Sequence, residues 1–305
     1  MKFKLNRVLW AAALCLLFQS CEHKSKATER SARFTSDSSI FAVDESLQPI
    51  VDQELYIFKA LNAKVHPQVV YAPENTVVNL LLSDSLRYAL ISRDLTKDEK
   101  NQLISHQLTP QVNRFAVDAI AIIVNKASAD TNLTVSEIKK MLNGQAKQDK
   151  NIIFDNPNSG LVRYLKDFSG SKDLKQKNIF SLKSNIEVIK YVAAHPDAIG
   201  ITGFSWLNEP TKDYAADVDK IKIAGVKDDT GKDTSGQYFT PSQTTLALKQ
   251  YPLTRNLYIV NCTGHMSLGM EFEFFVRSDQ GQRIIVTSGL LPDNIPDRQV
   301  SIVTK

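Results

Sequence analysis

Residues 115–124 read Phe-Ala-Val-Asp-Ala-Ile-Ala-Ile-Ile-Val (FAVDAIAIIV), an almost unbroken apolar run. A strand without polar alternation suits a sheet covered on both faces. Working outward toward the N-terminus, shorter β-branched runs alternate with helical periods: 39–43 reads as a strand and 48–61 as a helix. Ile50, Val51, Leu55, Phe58 and Leu61 share one face of that helix. Val69-Val70-Tyr71 leads into a helix through 77–82, residues 87–91 are strand-like, and 96–104 are helical. Toward the C-terminus, Thr134-Val-Ser-Glu137 is a capping box opening a helix over 136–142, closed by Asn143-Gly144. A strand at 151–154, a turn at 155–160 and a helix over 161–168 follow. The next helix, 185–194, is stopped by Pro196 and leads to a strand at 198–202. Residues 213–241 are polar and turn-rich, with Trp206 in a loop just before them. Residues 255–260 form a returning strand, and helices over 266–277 and 280–287 close the chain. Strands alternating with helices predict an α/β protein with mainly parallel sheets.

The N-terminus decides location. Lys2, Lys4 and Arg7 form a basic start, residues 8–18 an apolar run too short to span a bilayer, and Gln19-Ser20-Cys21 its end. Residues 1–20 therefore read as a signal peptide, and a cysteine at that place resembles the lipobox of a bacterial lipoprotein. The resemblance implies a lipid on Cys21 and an extracytoplasmic, membrane-anchored chain. Residues 21–38, polar and rich in Ser and Lys, read as a flexible tether. Without the leader's three basic residues, the 37 Lys+Arg and 33 Asp+Glu leave a net charge near +1, which excludes nucleic acid as a natural partner. Cys262 is then the one cysteine outside the leader and lipid site, and reads as buried packing. The five histidines include no H-x-x-x-H pair, and no cofactor motif or metal site is visible. His195, before Pro196 at a helix end, complements the helix dipole. The aromatics of 270–276 (MEFEFFV) read as packing residues at helical spacing.

Several short stretches, in order, carry a family likeness. They are Asp44-Glu-Ser-Leu-Gln-Pro49, Ser92-Arg-Asp-Leu95, Leu133-Thr-Val-Ser-Glu-Ile138, Met141-Leu-Asn-Gly144 and Asn158-Ser-Gly160. Then come Asp197-Ala-Ile-Gly-Ile201, Tyr251-Pro-Leu-Thr-Arg255, Gly281-Gln-Arg-Ile-Ile285 and Gly289-Leu-Leu-Pro292. The chain resembles the extracytoplasmic phosphate-binding proteins of phosphate ABC importers. The resemblance implies a type II periplasmic-binding-protein-like α/β fold, with two lobes joined by two crossing strands near 118–122 and 253–257. Lobe 1 would comprise 39–120 plus 255–305, and lobe 2 residues 121–254. It implies a monomer with inorganic phosphate or a similar small oxyanion in the cleft, delivered to an ABC importer permease.

A dehydrated oxyanion needs fixed donors, which helix N-termini supply. Ser46 and the amide of Leu47 precede a helix in lobe 1; Asn158, Ser159 and Gly160 open one in lobe 2. Each is also an ordinary N-cap sequence, and the resemblance aligns both with anion-binding loops. Ser92 and Arg93 follow a strand, where cleft loops of open sheets lie; the Arg93 fork would hold an anion bidentately or pair with a carboxylate. Against the family pattern, Pro73-Glu74-Asn75 replaces a serine- or glycine-rich turn, Asp155 a basic residue, and Leu161 a threonine. Arg163, one turn into the helix, is a candidate to replace the lost positive charge. One carboxylate suits hydrogen phosphate, whose proton it accepts, while it rejects sulfate. No activated nucleophile is visible, so the chain is expected to bind rather than to catalyse. The alternative is the same fold with an altered pocket, binding another ligand or acting as a sensing or interaction module.

Overall fold

The run at 115–124 lies inside β4, Gln111–Asn125, and its apolar residues are buried save for Val117, which is partly covered. Its partners change midway: residues 111–119 pair antiparallel with β11 (Thr254–Asn261), and 120–124 pair antiparallel with β8 (Ala198–Gly203). The Ile120 N–H then bonds the Leu253 carbonyl at 2.8 Å, so both chain crossings meet where the pairing switches. The computed structural model describes residues 40–129, 131–145, 150–174, 176–231 and 236–295. The expected signal peptide, lipid site Cys21 and tether lie outside the described residues.

On one side of the switch, β1 (Ile40–Asp44), β2 (Gln68–Ala72) and β3 (Tyr88–Ile91) run parallel. They alternate with α1 (Gln48–Leu61), α2 (Glu74–Leu82) and α3 (Lys97–Ser105). On the other side, β6 (Asn151–Phe154) lies parallel to both β8 and β7 (Ile179–Ser181). Around these strands come α4 (Val135–Leu142), α5 (Gly160–Ser169) and α6 (Asn185–Ala194). The sheet order is β2-β1-β3-β11-β4-β8-β6-β7, a mixed sheet because β4 and β11 run against their neighbours. Parallel strands put their C-terminal ends on one edge, so Asp44, Pro73-Glu74 and Ser92 emerge side by side.

Local chemistry sets the helix ends. Thr96 with Glu99 and Thr134 with Glu137 form capping boxes, and Gly144 takes φ 68° beyond the end of α4. Ser159 caps α5 through Val162 N–H. Phe41, Phe58, Tyr88 and Phe272 pack ring against ring between the sheet and α9 (Leu268–Arg277), each burial worth about 1.5–3 kcal/mol. Phe274 of the same helix points outward at 56% exposure, so the aromatic stretch is packing on one face only. On the opposite face of the first half, Cys262 joins Val77, Leu81, Ile91 and Leu103 in a core cluster, and burial pushes its thiol up to about 11. His195 ends α6 as expected, stacked on Tyr191 with Nδ1 2.8 Å from the Tyr191 carbonyl.

Two readings need correction. Residues 213–241 are more than turns, since they hold α8 (Ala215–Val218), β9 (Ile221–Ile223) and β10 (Gly225–Lys227), which pairs with β5 (Asn132–Thr134). Trp206 is not in a loop but in α7 (Ser205–Asn208), where its side chain is buried and its indole N–H donates to the Ser46 carbonyl at 3.0 Å. Among the described residues no helix is long and apolar enough to cross a membrane.

Candidate functional site

Asp44, Ser46, Glu74, Ser92, Asp155, Ser159 and Gly160 are all buried where the strand ends of the two halves meet. The closest approach is at Gly160. A methyl group on its Cα would overlap Asp44 Oδ2 and Ser92 Oγ, and would stand 2.8 Å from Glu74 Oε2. Only glycine lets the start of α5 sit against the first half this closely. The first amides of α5 have no intrahelical acceptors by construction, so this is a positively polarised end pressed onto two carboxylates.

Ser46 is held from two sides. Its amide donates to Asp44 Oδ1 at 3.1 Å, and its hydroxyl accepts from Arg255 Nη1 at 3.0 Å. A hydroxyl that accepts from a guanidinium keeps its own hydrogen for another acceptor. Leu47 contributes no side chain to the crevice; that side chain is in the core at 1% exposure. Arg255, quoted in the sequence only as part of Tyr251-Pro-Leu-Thr-Arg255, is a central residue that sequence reasoning missed. It faces Asp118 across β11 and β4 in register, with contacts of 3.0 and 2.8 Å, both side chains buried at the strand crossing. The signal was Asp118 itself, a carboxylate inside an apolar strand, since buried charges require partners.

Glu74 collects the donors expected to hold a ligand. Its carboxylate accepts from the Ser92 amide at 3.3 Å, Ser92 Oγ at 2.7 Å, Arg93 Nε at 3.3 Å and Arg163 Nε at 2.5 Å. Arg163 Nη2 adds a long contact of 3.5 Å. Burial pushes the Glu74 carboxyl up, but Arg163, Ser92 and Arg93 outweigh it and hold it below the ordinary carboxylate range. Arg163 bonds Glu74 and, at 3.0 Å, Asp167, and among the described residues no hydrogen bond or ion pair carries it to Asp155. The Arg93 fork does not face an open site: both terminal nitrogens grip Glu99 at 2.7 Å, in the capping box of α3.

Asp155 is compensated differently. Ser159 Oγ donates to it at 2.6 Å and Asn185 Nδ2 at 3.0 Å, and Thr202 fixes Asn185 at 2.7 Å. Among the described residues no cation hydrogen-bonds it, and burial pushes it up to about 7. Asp44 is pushed up to about 6, chiefly by burial and by Glu74, and among the described residues its Oδ2 has no hydrogen-bond partner. Ser159 has both its roles filled, donating to Asp155 and accepting from Val162 N–H at 3.2 Å, so its side chain is a cap. Asn158 stands apart: it is exposed, and its amide turns back to Asn156 Oδ1 at 2.9 Å. The residues brought together are Ser46, Ser92, Gly160 and Arg163, with the Arg93 stem at the edge.

Comparison with known proteins agrees with this architecture. A model of the PBP superfamily domain matches residues 28–280. The phosphate-binding protein PstS of Borreliella burgdorferi is 26% identical over 269 residues, covering 81% of this chain and 86% of that one. Staphylococcal proteins of the same name are matched over about three-fifths of their length. A putative phosphate ABC transporter substrate-binding protein from Clostridium perfringens, solved with bound phosphate, superposes with TM-score 0.68 at 18% identity, covering 84% of this chain and 99% of that one. An ABC-type phosphate transport receptor from Vibrio cholerae gives 0.62 at 20%, covering 83% and 98%. With the family model spanning most of its length, this chain belongs to the PBP superfamily.

Proposed function

We propose that the chain is an extracytoplasmic, lipid-anchored solute-binding protein that captures inorganic phosphate and delivers it to an ABC importer. One observation carries this reading: across the strand crossing, the Ser92 hydroxyl of one side stands within contact distance of Gly160 at the N-terminus of α5 on the other, with Ser46 tied to the same crevice through Asp44. Helix-end amides and hydroxyls stabilise an oxyanion without mobile counter-ions, and water is excluded by the burial around them. The names of the relatives support phosphate as that anion. Binding would couple the two sides as lobes, 39–120 plus 255–305 against 121–254, with Arg255 and Asp118 at the hinge. The closed state would be favoured by contacts made to both lobes at once. The buried carboxylates select a protonated ligand: Asp44 Oδ2, without a partner, would accept the proton of hydrogen phosphate.

A second reading, the same fold turned to another ligand or to sensing, is favoured by Glu74, which already takes the donors of Ser92, Arg93 and Arg163. Calorimetric titration of the full chain in detergent with phosphate separates the two. One-to-one heat with a raised melting temperature, and no turnover of a generic phosphoester, supports phosphate capture. Silence in both heat and melting contradicts it, and a shift by another small ligand supports the second reading.

A further inference from the structure

We infer that Glu74 is a resident anion of the ligand site, a side chain that occupies the donor set phosphate needs and so sets the affinity threshold of the chain. This rests on the phosphate reading above. The carboxylate is fully buried, begins α2 immediately after the Pro73 cap, and lies 2.8 Å from where a Gly160 methyl would stand. It takes the amide and hydroxyl of Ser92 and the Nε–H of both Arg93 and Arg163, which is the complement an oxyanion would want. Arg163 comes from the second half of the sheet and Glu74 from the first, so the pair also bridges the crevice.

The physical consequence is competition. A phosphate arriving beside Glu74 meets a like charge in a dehydrated site and must take the Ser92 donors from it. The two anions cannot share them, because the Ser92 hydroxyl has one hydrogen to give. Ligand entry therefore requires the Glu74 carboxylate to leave Ser92. Replacing Glu74 by a neutral residue removes both the competitor and the repulsion. The arginines remain ordered in its absence, since Arg93 keeps its two 2.7 Å bonds to Glu99 and Arg163 its contact with Asp167. Arg163 is also partly open to water, which softens the loss of its partner.

The test is calorimetric titration of the full chain in detergent with phosphate and, separately, sulfate, comparing the native chain with E74Q and E74S. Thermal melts confirm that each variant folds. The expected result is phosphate affinity raised tenfold or more in E74S, with a smaller gain in E74Q, which keeps the volume without the charge. If the native chain binds phosphate and both variants bind it equally or more weakly, Glu74 is a structural clamp and the inference is overturned, while phosphate capture stands. If the native chain ignores phosphate but E74S binds phosphate or sulfate, the inference stands and phosphate capture by the native chain falls. If folded native and variant chains bind neither anion, both are overturned.

Discussion

Glu74 and Asp155 lie in one crevice, both fully buried, both departing from the family pattern, and their surroundings differ sharply. Glu74 is bonded by two arginines and both donors of Ser92, so its charge is neutralised within the fold. Among the described residues Asp155 has neutral donors alone, Ser159 and Asn185, and beside it Asp44 leaves an oxygen without a partner. Burial therefore raises the carboxyls at this end while ion pairing lowers the one at the other. Position in the crevice does not decide what a buried carboxylate does; the charge of its neighbours does. One end is saturated, and the other retains capacity for a proton.

The largest expected effect is at the strand crossing between the two halves. Arg255 bonds Asp118 and Ser46 together at the crossing, so Arg255→Met leaves a buried carboxylate without its cation. Chemical denaturation should show a loss of about 3–5 kcal/mol. A loss below about 1 kcal/mol would show that the crossing is not held electrostatically. Next is Gly160→Val, which drives carbon into Asp44 and Ser92 and props the two halves apart. Phosphate affinity should fall about a hundredfold in a folded chain, because overpacking at a close contact is not absorbed locally.

The pH dependence sharpens the contrast. Asp44 and Asp155 have folded values of about 6 and 7, above the ordinary 3.8, so the folded chain binds more protons than the unfolded chain across that window. Stability therefore falls as pH rises from about 4 to 7, and levels off above for these two groups. Glu54, buried without partners and pushed up to about 9, extends the decline at higher pH. Glu74 has the opposite sign: its contribution is present above its ordinary 4.5 and disappears as pH falls through its lowered value. Melting temperature should peak near the acidic edge of this window. Asp155→Asn should remove about 3 kcal/mol of the decline between pH 4 and 7, whatever fixed offset the altered contact with Asn185 introduces. An unchanged slope would place Asp155 among ordinarily ionised groups. The smallest effect is at Asn158→Ala, outside the crevice, where phosphate affinity should stay within about twofold.

Much of the fold was legible because its longer elements carry strong local signals. The apolar face of 48–61 and the capped segment 185–194 give helices with those same bounds. Strands such as β9, with three residues, and β12 (Leu291–Pro292), with two, are too short to show a period, and only their pairing on β4 makes them strands. In the site, Ser46, Ser92, Gly160 and Arg163 were legible as donors at strand ends and helix starts. Their bonding partners were not. The Arg255–Asp118 pair spans 137 residues and exists only through the antiparallel register, and Glu74 meets Arg163 across 89. Local sequence names the donors; tertiary register decides whom they serve.

The most direct test is a crystal structure of the chain grown with phosphate. The expected result is one phosphate between Ser46, Ser92 and the Gly160 amide, with the Glu74 carboxylate turned off Ser92. Phosphate bound elsewhere, or a crevice unchanged with Glu74 still on Ser92 and Arg163 at saturating phosphate, would contradict it.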